Sequence, residues 1–305
     1  MRTNAFTTLI VLIVVSLSHT VTAQGSSPPL SPAAQWAETV ADQYWIFPDI
    51  TYGVANNYTL KLDVWQRKNA KAPAPTLVYY HGGGWIFGDR TGATLLFMPY
   101  LEMGWNVVNV EYRMASVSLA PAAVEDARCA LRWAFRNAKQ YQIDTTKIVL
   151  TGHSAGGHLA LIAGMLSKGT DLDNECYGTE QLPVAAIINW FGISDVTDVV
   201  EGPNLKNYAA MWMGSQPDKL AIARRVSPIT YVRHGLPSII SIHGDRDPVV
   251  PYAQSVKLHQ ALNAAGVPNQ LVTIQGGGHG EFTPEQVIGS FVKINQFLKG
   301  QKLLP

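Results

Sequence analysis

The chain has 305 residues, of which 47% are hydrophobic and 15% charged, and a formal net charge of +1. That balance fits one large globular domain with a sizeable core and argues against a disordered chain. Charges of both signs are interspersed, so there is no basic stripe for nucleic acid and no acidic tail; the expected partner is a neutral or weakly charged small molecule or polymer.

The first residues read as an address. Arg2 precedes an apolar run over 5–17, and Val21-Thr22-Ala23 offers small residues where a signal peptidase reads. Cleavage is expected near Ala23, leaving a secreted or periplasmic protein. The run falls short of the roughly 20 residues of a spanning helix, so stable membrane insertion is not expected. Residues 24–35 read as a flexible leader and 36–305 as the domain. Strands are predicted at 51–54 and 59–65, around a turn at Asn56-Asn57, then at 76–80, 106–111, 147–150, 184–190, 238–243 and 270–274. Helices are predicted over 122–139, after residue 156, over 252–265 and over 284–299. Strands alternating with helices imply an α/β fold: a mostly parallel eight-stranded sheet, helices on both faces, and the first hairpin as an antiparallel edge. The stretch of about 192–236 breaks the alternation and is helical in character at 207–213 and 218–226. It reads as a small cap whose Tyr208, Trp212 and Met213, with Trp85, line a substrate pocket.

Cys129 falls in the 122–139 helix among Ala127, Ala130 and Leu131, so it reads as a small buried hydrophobe rather than as the partner of Cys176. No Cys/His cluster has zinc spacing, and no metal or cofactor is expected.

Gly152-His153-Ser154-Ala155-Gly156 lies between the 147–150 strand and a helix, the context of a nucleophile elbow. A serine hydroxyl is a poor nucleophile until an imidazole accepts its proton, and a carboxylate is needed to hold that imidazole in the right tautomer. The remaining members should follow as acid, then histidine. His243-Gly244-Asp245-Arg246-Asp247-Pro248 and Gly276-Gly277-Gly278-His279-Gly280 end the last two strands, on the same sheet edge as the elbow. His279 is the expected base. Asp247 is the expected acid, since Pro248 stiffens its backbone, whereas Asp245 is expected to cap its own loop. His81-Gly82-Gly83-Gly84-Trp85 follows the 76–80 strand, and its unshielded amides at Gly83 and Gly84, with that of Ala155, are the expected oxyanion donors. His81 itself reads as a loop organiser, and His153, His158, His234 and His259 need no role.

Taken together, HGGGW, GHSAGGHLA, HGDRDPVVP and GGGHG resemble the α/β-hydrolase carboxylesterases over roughly residues 50–298. The likeness is greatest to the hormone-sensitive-lipase-like branch that includes bacterial acetyl-xylan and feruloyl esterases. The resemblance implies the α/β-hydrolase fold, Ser154 as nucleophile, Asp247 as acid, His279 as base, and Gly83, Gly84 and Ala155 as oxyanion donors. It also implies an acyl-enzyme route on short-acyl or aromatic esters, such as acetyl or feruloyl groups of plant polysaccharide. The chain departs from hormone-sensitive lipase proper, whose elbow usually has aspartate where His153 stands, and so from long-chain lipid substrates. Three alternatives stay open: an arylformamidase-like amide hydrolase, a serine peptidase, and a non-catalytic α/β-hydrolase that binds.

Overall fold

Short runs of Val, Ile, Leu and Tyr build a single sheet in the computed structural model, which describes residues 30–304 apart from 168, 169, 174, 175, 177 and 179. The expected export signal lies outside the described residues. The strands are β1 (Tyr44–Ala55), β2 (Tyr58–Arg67), β3 (Ala74–Tyr80), β4 (Asn106–Val110), β5 (Ile143–His153), β6 (Ala186–Trp190), β7 (Ser238–Gly244) and β8 (Asn269–Ile274). Their order is β1-β2-β4-β3-β5-β6-β7-β8. β2 runs against both of its neighbours, and the remaining pairs are parallel. Asn56 and Asn57 join β1 to β2 at φ 51° and 58°, the left-handed pair that a tight two-residue hairpin turn requires.

Parallel strands all leave the sheet at one edge, which brings together the loops after β3, β5, β7 and β8. Every residue of β4, β6 and β7 is buried, as befits strands covered on both faces. The covering helices are α1 (Pro32–Gln43), α2 (Met98–Glu102), α3 (Ala122–Arg136), α4 (Ala155–Met165), α5 (Val196–Val200), α6 (Asn207–Met213), α7 (Lys219–Arg225), α8 (Ala253–Ala264) and α9 (Pro284–Gly300). One core cluster joins the sheet to α3, α4, α8 and the α5–α7 insertion; the other joins it to α1, α2 and α9. The insertion between β6 and β7 is helical where the sequence reading expected it.

Two expectations are corrected. α1 starts at Pro32, inside the expected leader, because the Ser31 hydroxyl accepts the Ala34 N–H at 3.2 Å and Pro32 suits the first helical turn. Cys129 is bonded to Cys176, with Cα atoms 5.4 Å apart. Cys129 is buried as expected, but beside it on α3 Arg128 grips Asp173 at 2.7 Å and Arg132 grips Glu180 at 2.8 Å. These ion pairs draw the following loop onto the helix and bring Cys176 within reach.

Candidate active site

Ser154 stands at the β5–α4 junction with φ 57° and ψ −119°, a conformation that L-residues avoid and that costs about 1–3 kcal/mol. The positive φ of the turn is carried by the serine itself, not by the glycines that flank it. Gly152 and Gly156 are needed for a different reason. A Cβ on Gly156 would lie 2.0 Å from the Tyr80 carbonyl oxygen, and one on Gly152 would lie 2.4 Å from the Gly156 carbonyl carbon. The elbow is thus wedged against β3, and the Ser154 N–H donates to Trp190 O at 2.9 Å to hold it there.

His279 lies between Asp247 and Ser154: its Nδ1 is 2.7 Å from Asp247 Oδ2 and its Nε2 2.9 Å from Ser154 Oγ. Against a carboxylate acceptor Nδ1 carries the hydrogen, so Nε2 offers its lone pair to the serine hydroxyl. Asp247 Oδ1 accepts the N–H groups of Val249 and Val250, both at 2.8 Å. Burial opposes ionisation of this carboxyl, but the donors from His243, His279 and Val250 outweigh it and hold Asp247 well below the usual carboxylate range. Asp245 was expected to cap its own loop. Instead its Oδ1 accepts the Gly276 N–H at 2.7 Å, tying the β7 loop to the β8 loop, while Asp247 makes the local turn bonds.

The loop after β3 presses on the elbow, for a Cβ on Gly82 would lie 3.8 Å from Ser154 Cβ. Gly83 has φ 120° and its Cβ position coincides with the Phe87 carbonyl; Gly84 has φ 59° and lies under Tyr208. Only glycine fits either place. Among the described residues no backbone acceptor engages the amides of Gly83, Gly84 or Ala155, and Ala155 opens α4, where the helix dipole adds positive charge. His81 organises this loop: Nδ1–H donates to Gly82 O at 2.7 Å and the ring stacks on Tyr112.

Trp85, Trp212 and Met213 are 0% exposed. The expectation that they line a pocket is corrected: all three are packed in the core. Trp85 stacks on Trp212 with ring centroids 4.0 Å apart, and its Nε1–H donates to His158 Nδ1 at 3.2 Å. His158 Nε2–H in turn donates to Val226 O at 2.7 Å, and burial pulls this imidazole down to about 4. Of the four residues only Tyr208 is half-buried, packed over Gly84.

An apolar cavity lies on the other face of the sheet, the one packed against α2 and α9. It has a volume of about 190 Å³, and its walls include Leu96, His153, Trp190, Phe191, Phe282 and Phe291. Phe191 separates it from His279, the two rings meeting edge-on at 4.7 Å. His153 stacks on Trp190 and its Nδ1 is 2.9 Å from Tyr79 Oη; burial, then the neighbouring His279, lowers it to about 3. Sequence reasoning missed these walls because they come from four separate segments. The Trp190-Phe191 pair at a strand's carboxyl end was the available signal. Among the described residues no group of His, Cys, Asp or Glu is arranged to hold a metal ion, and no helix is long and apolar enough to cross a membrane.

The BD-FAE family model matches residues 62–262. The chain belongs to the BD-FAE family. Esterase LipQ of Mycobacterium tuberculosis is 32% identical over 231 residues, which are 72% of this chain and 53% of that protein. The BD-FAE chain spans about half the length of the curated relatives it matches. A truncated carbohydrate esterase from gut microbiota superposes with a TM-score of 0.73 at 28% identity, covering 85% of this chain and 97% of that one. The propionate-bound esterase Est2 of Thermogutta terrifontis gives a TM-score of 0.71 at 25% identity, covering 84% and 94%. The BD-FAE chain thus has the α/β-hydrolase fold that its motifs implied.

Proposed function

We propose that this BD-FAE family member is an exported carboxylic ester hydrolase that uses Ser154, His279 and Asp247 through an acyl-enzyme. The observation that carries the reading is the pair of contacts made by one imidazole, 2.7 Å to a buried carboxylate and 2.9 Å to the hydroxyl of a strained serine. As Ser154 Oγ attacks the ester carbonyl, His279 Nε2 takes its proton and later returns it to the leaving alcohol. Asp247 keeps the ring in the tautomer that can accept and stabilises the imidazolium that forms. The new oxyanion falls to the amides of Gly83, Gly84 and Ala155, for which one donor is worth roughly 2.7–4 kcal/mol elsewhere. Water then repeats the sequence on the acyl-enzyme.

The esterase LipQ and the carbohydrate esterase among the similar proteins favour an ester, and the latter an ester on a polysaccharide. The Cys129–Cys176 bond suits the oxidising compartment that the leader predicts. The test has two parts. Ser154→Ala should fold normally and lose several orders of magnitude in turnover, and an organophosphate should label wild type at Ser154 alone. Turnover should rank p-nitrophenyl acetate, methyl ferulate and acetylated xylan above N-formylkynurenine. Label at another residue, or the amide ranked first, overturns the proposal.

A further inference from the structure

Asp247 is touched by a second histidine that the proposed triad does not use. His243, the penultimate residue of β7, is 0% exposed and places Nε2 3.2 Å from Asp247 Oδ2, the oxygen that His279 also uses. The same Nε2 lies 3.0 Å from the Val250 carbonyl oxygen. Two acceptors facing one ring nitrogen require it to carry the hydrogen; Nε2–H donates to Val250 O and stands within ion-pair distance of Asp247 Oδ2. The other nitrogen, Nδ1, is 2.7 Å from the hydroxyl of Ser255 on α8, also fully buried. In the uncharged ring Nδ1 is then an acceptor and Ser255 the donor.

The contacts form a chain through one carboxylate. Ser255 donates to His243, His243 Nε2–H stands 3.2 Å from Asp247 Oδ2, His279 donates to the same oxygen, and Ser154 donates to His279. The outer pair reaches the site edge. The inner pair is sealed in the core and has no access to substrate.

We infer that Ser255 and His243 are positioning residues, a buried serine–histidine pair that fixes the orientation of Asp247 Oδ2 toward His279. Oδ1 is already held by Val249 and Val250, but two donors on one oxygen leave the carboxylate free to tilt about that anchor. A second N–H held against Oδ2, beside that of His279, restricts that freedom. Ser255 sets which nitrogen of His243 carries the hydrogen, and so whether this donor exists. The inference rests on the triad reading.

The experiment is a double-mutant cycle on the whole chain. His243→Phe keeps the ring volume and removes the donor. It should lower kcat about tenfold to a hundredfold, the size of effect a hydrogen bond to a charged group carries, with KM within about twofold. His243→Gln, whose amide N–H reaches the former Nε2 position, should recover most of that loss. In an Asp247→Asn background, His243→Phe should cause no further loss, because the group it positions is already gone; a merely structural residue would lower both backgrounds alike. Should His243→Phe fail to fold, Ser255→Ala leaves the ring in place and should show the same non-additivity with a smaller drop. Unchanged kcat in folded His243→Phe, or additive losses in the cycle, overturns the inference and leaves the triad standing. Full turnover in Asp247→Asn overturns the triad and this inference with it.

Discussion

Asp247 divides its work between its oxygens, Oδ1 taking two backbone N–H groups and Oδ2 facing the histidines. Replacing it with asparagine removes the charge and offers an amide where His279 needs an acceptor. Asp247→Asn should therefore fold and lose on the order of 10⁴ in turnover, by analogy with the same change in a serine protease triad. Asp245→Asn disturbs only a tie to Gly276 N–H, so it should cost some stability and little kcat. Steady-state kinetics and thermal melts of the two variants check this, and the opposite kcat ranking would sink the assignment. At this scale the sequence pointed, for a partial reason, to the carboxylate that meets His279. Pro248 does stiffen the loop, but the rigidity comes chiefly from bonds that Asp247 makes itself. His243 was invisible because a histidine ending an apolar strand reads as core, and its meeting with Ser255 and Asp247 exists only once β7 and α8 have packed.

Among the elements, the elbow and the glycine loop after β3 were legible because they are local: Gly152, Gly156 and Gly83 mark places where two backbones approach too closely for a Cβ, and Gly84 one where the Tyr208 side chain does. The cap was legible as a segment but not as a surface. Trp85 and Trp212 look like pocket residues in a sequence, yet they stack on one another beneath the loop and leave no face to a ligand. An apolar cavity forms instead where the turn before α2, the end of β6 and the start of α9 meet, a long-range arrangement that periodicity does not report. At about 190 Å³ this cavity is smaller than the 300–1,000 Å³ typical of sites that bury drug-sized ligands. Acyl groups of a few carbons should be turned over faster than chains beyond about C8. A p-nitrophenyl ester series measures this, and strong activity on emulsified triglyceride would contradict it.

Taken whole, the molecule is tied across its layers. Arg113 and Asp126 pair in the core at 2.7 Å, the disulfide joins α3 to the loop after α4, and His158 links the glycine loop after β3 to the cap insertion. The last of these sets an acid limit. His158 is lowered to about 4 and His153 to about 3, both chiefly by burial. Their folded values lie below the value of about 6.5 they regain on unfolding. Between those values the unfolded chain binds protons that the native state refuses, so stability is fully present above about pH 6.5 and declines as pH falls toward 4. The slope approaches about 1.4 kcal/mol per pH unit for each such histidine, an order-of-magnitude figure. Asp247, held low, contributes in the same direction below pH 4, where the unfolded carboxyl protonates first. Melting temperature should therefore be nearly flat from pH 8 to 7 and fall between 6.5 and 4. His158→Gln can still accept from Trp85 and donate to Val226 but does not titrate, so it should show a shallower fall over that window and gain on wild type toward its acid end. Parallel pH profiles for the two proteins, or stability that rises on acidification, would show that the buried imidazole does not set the limit.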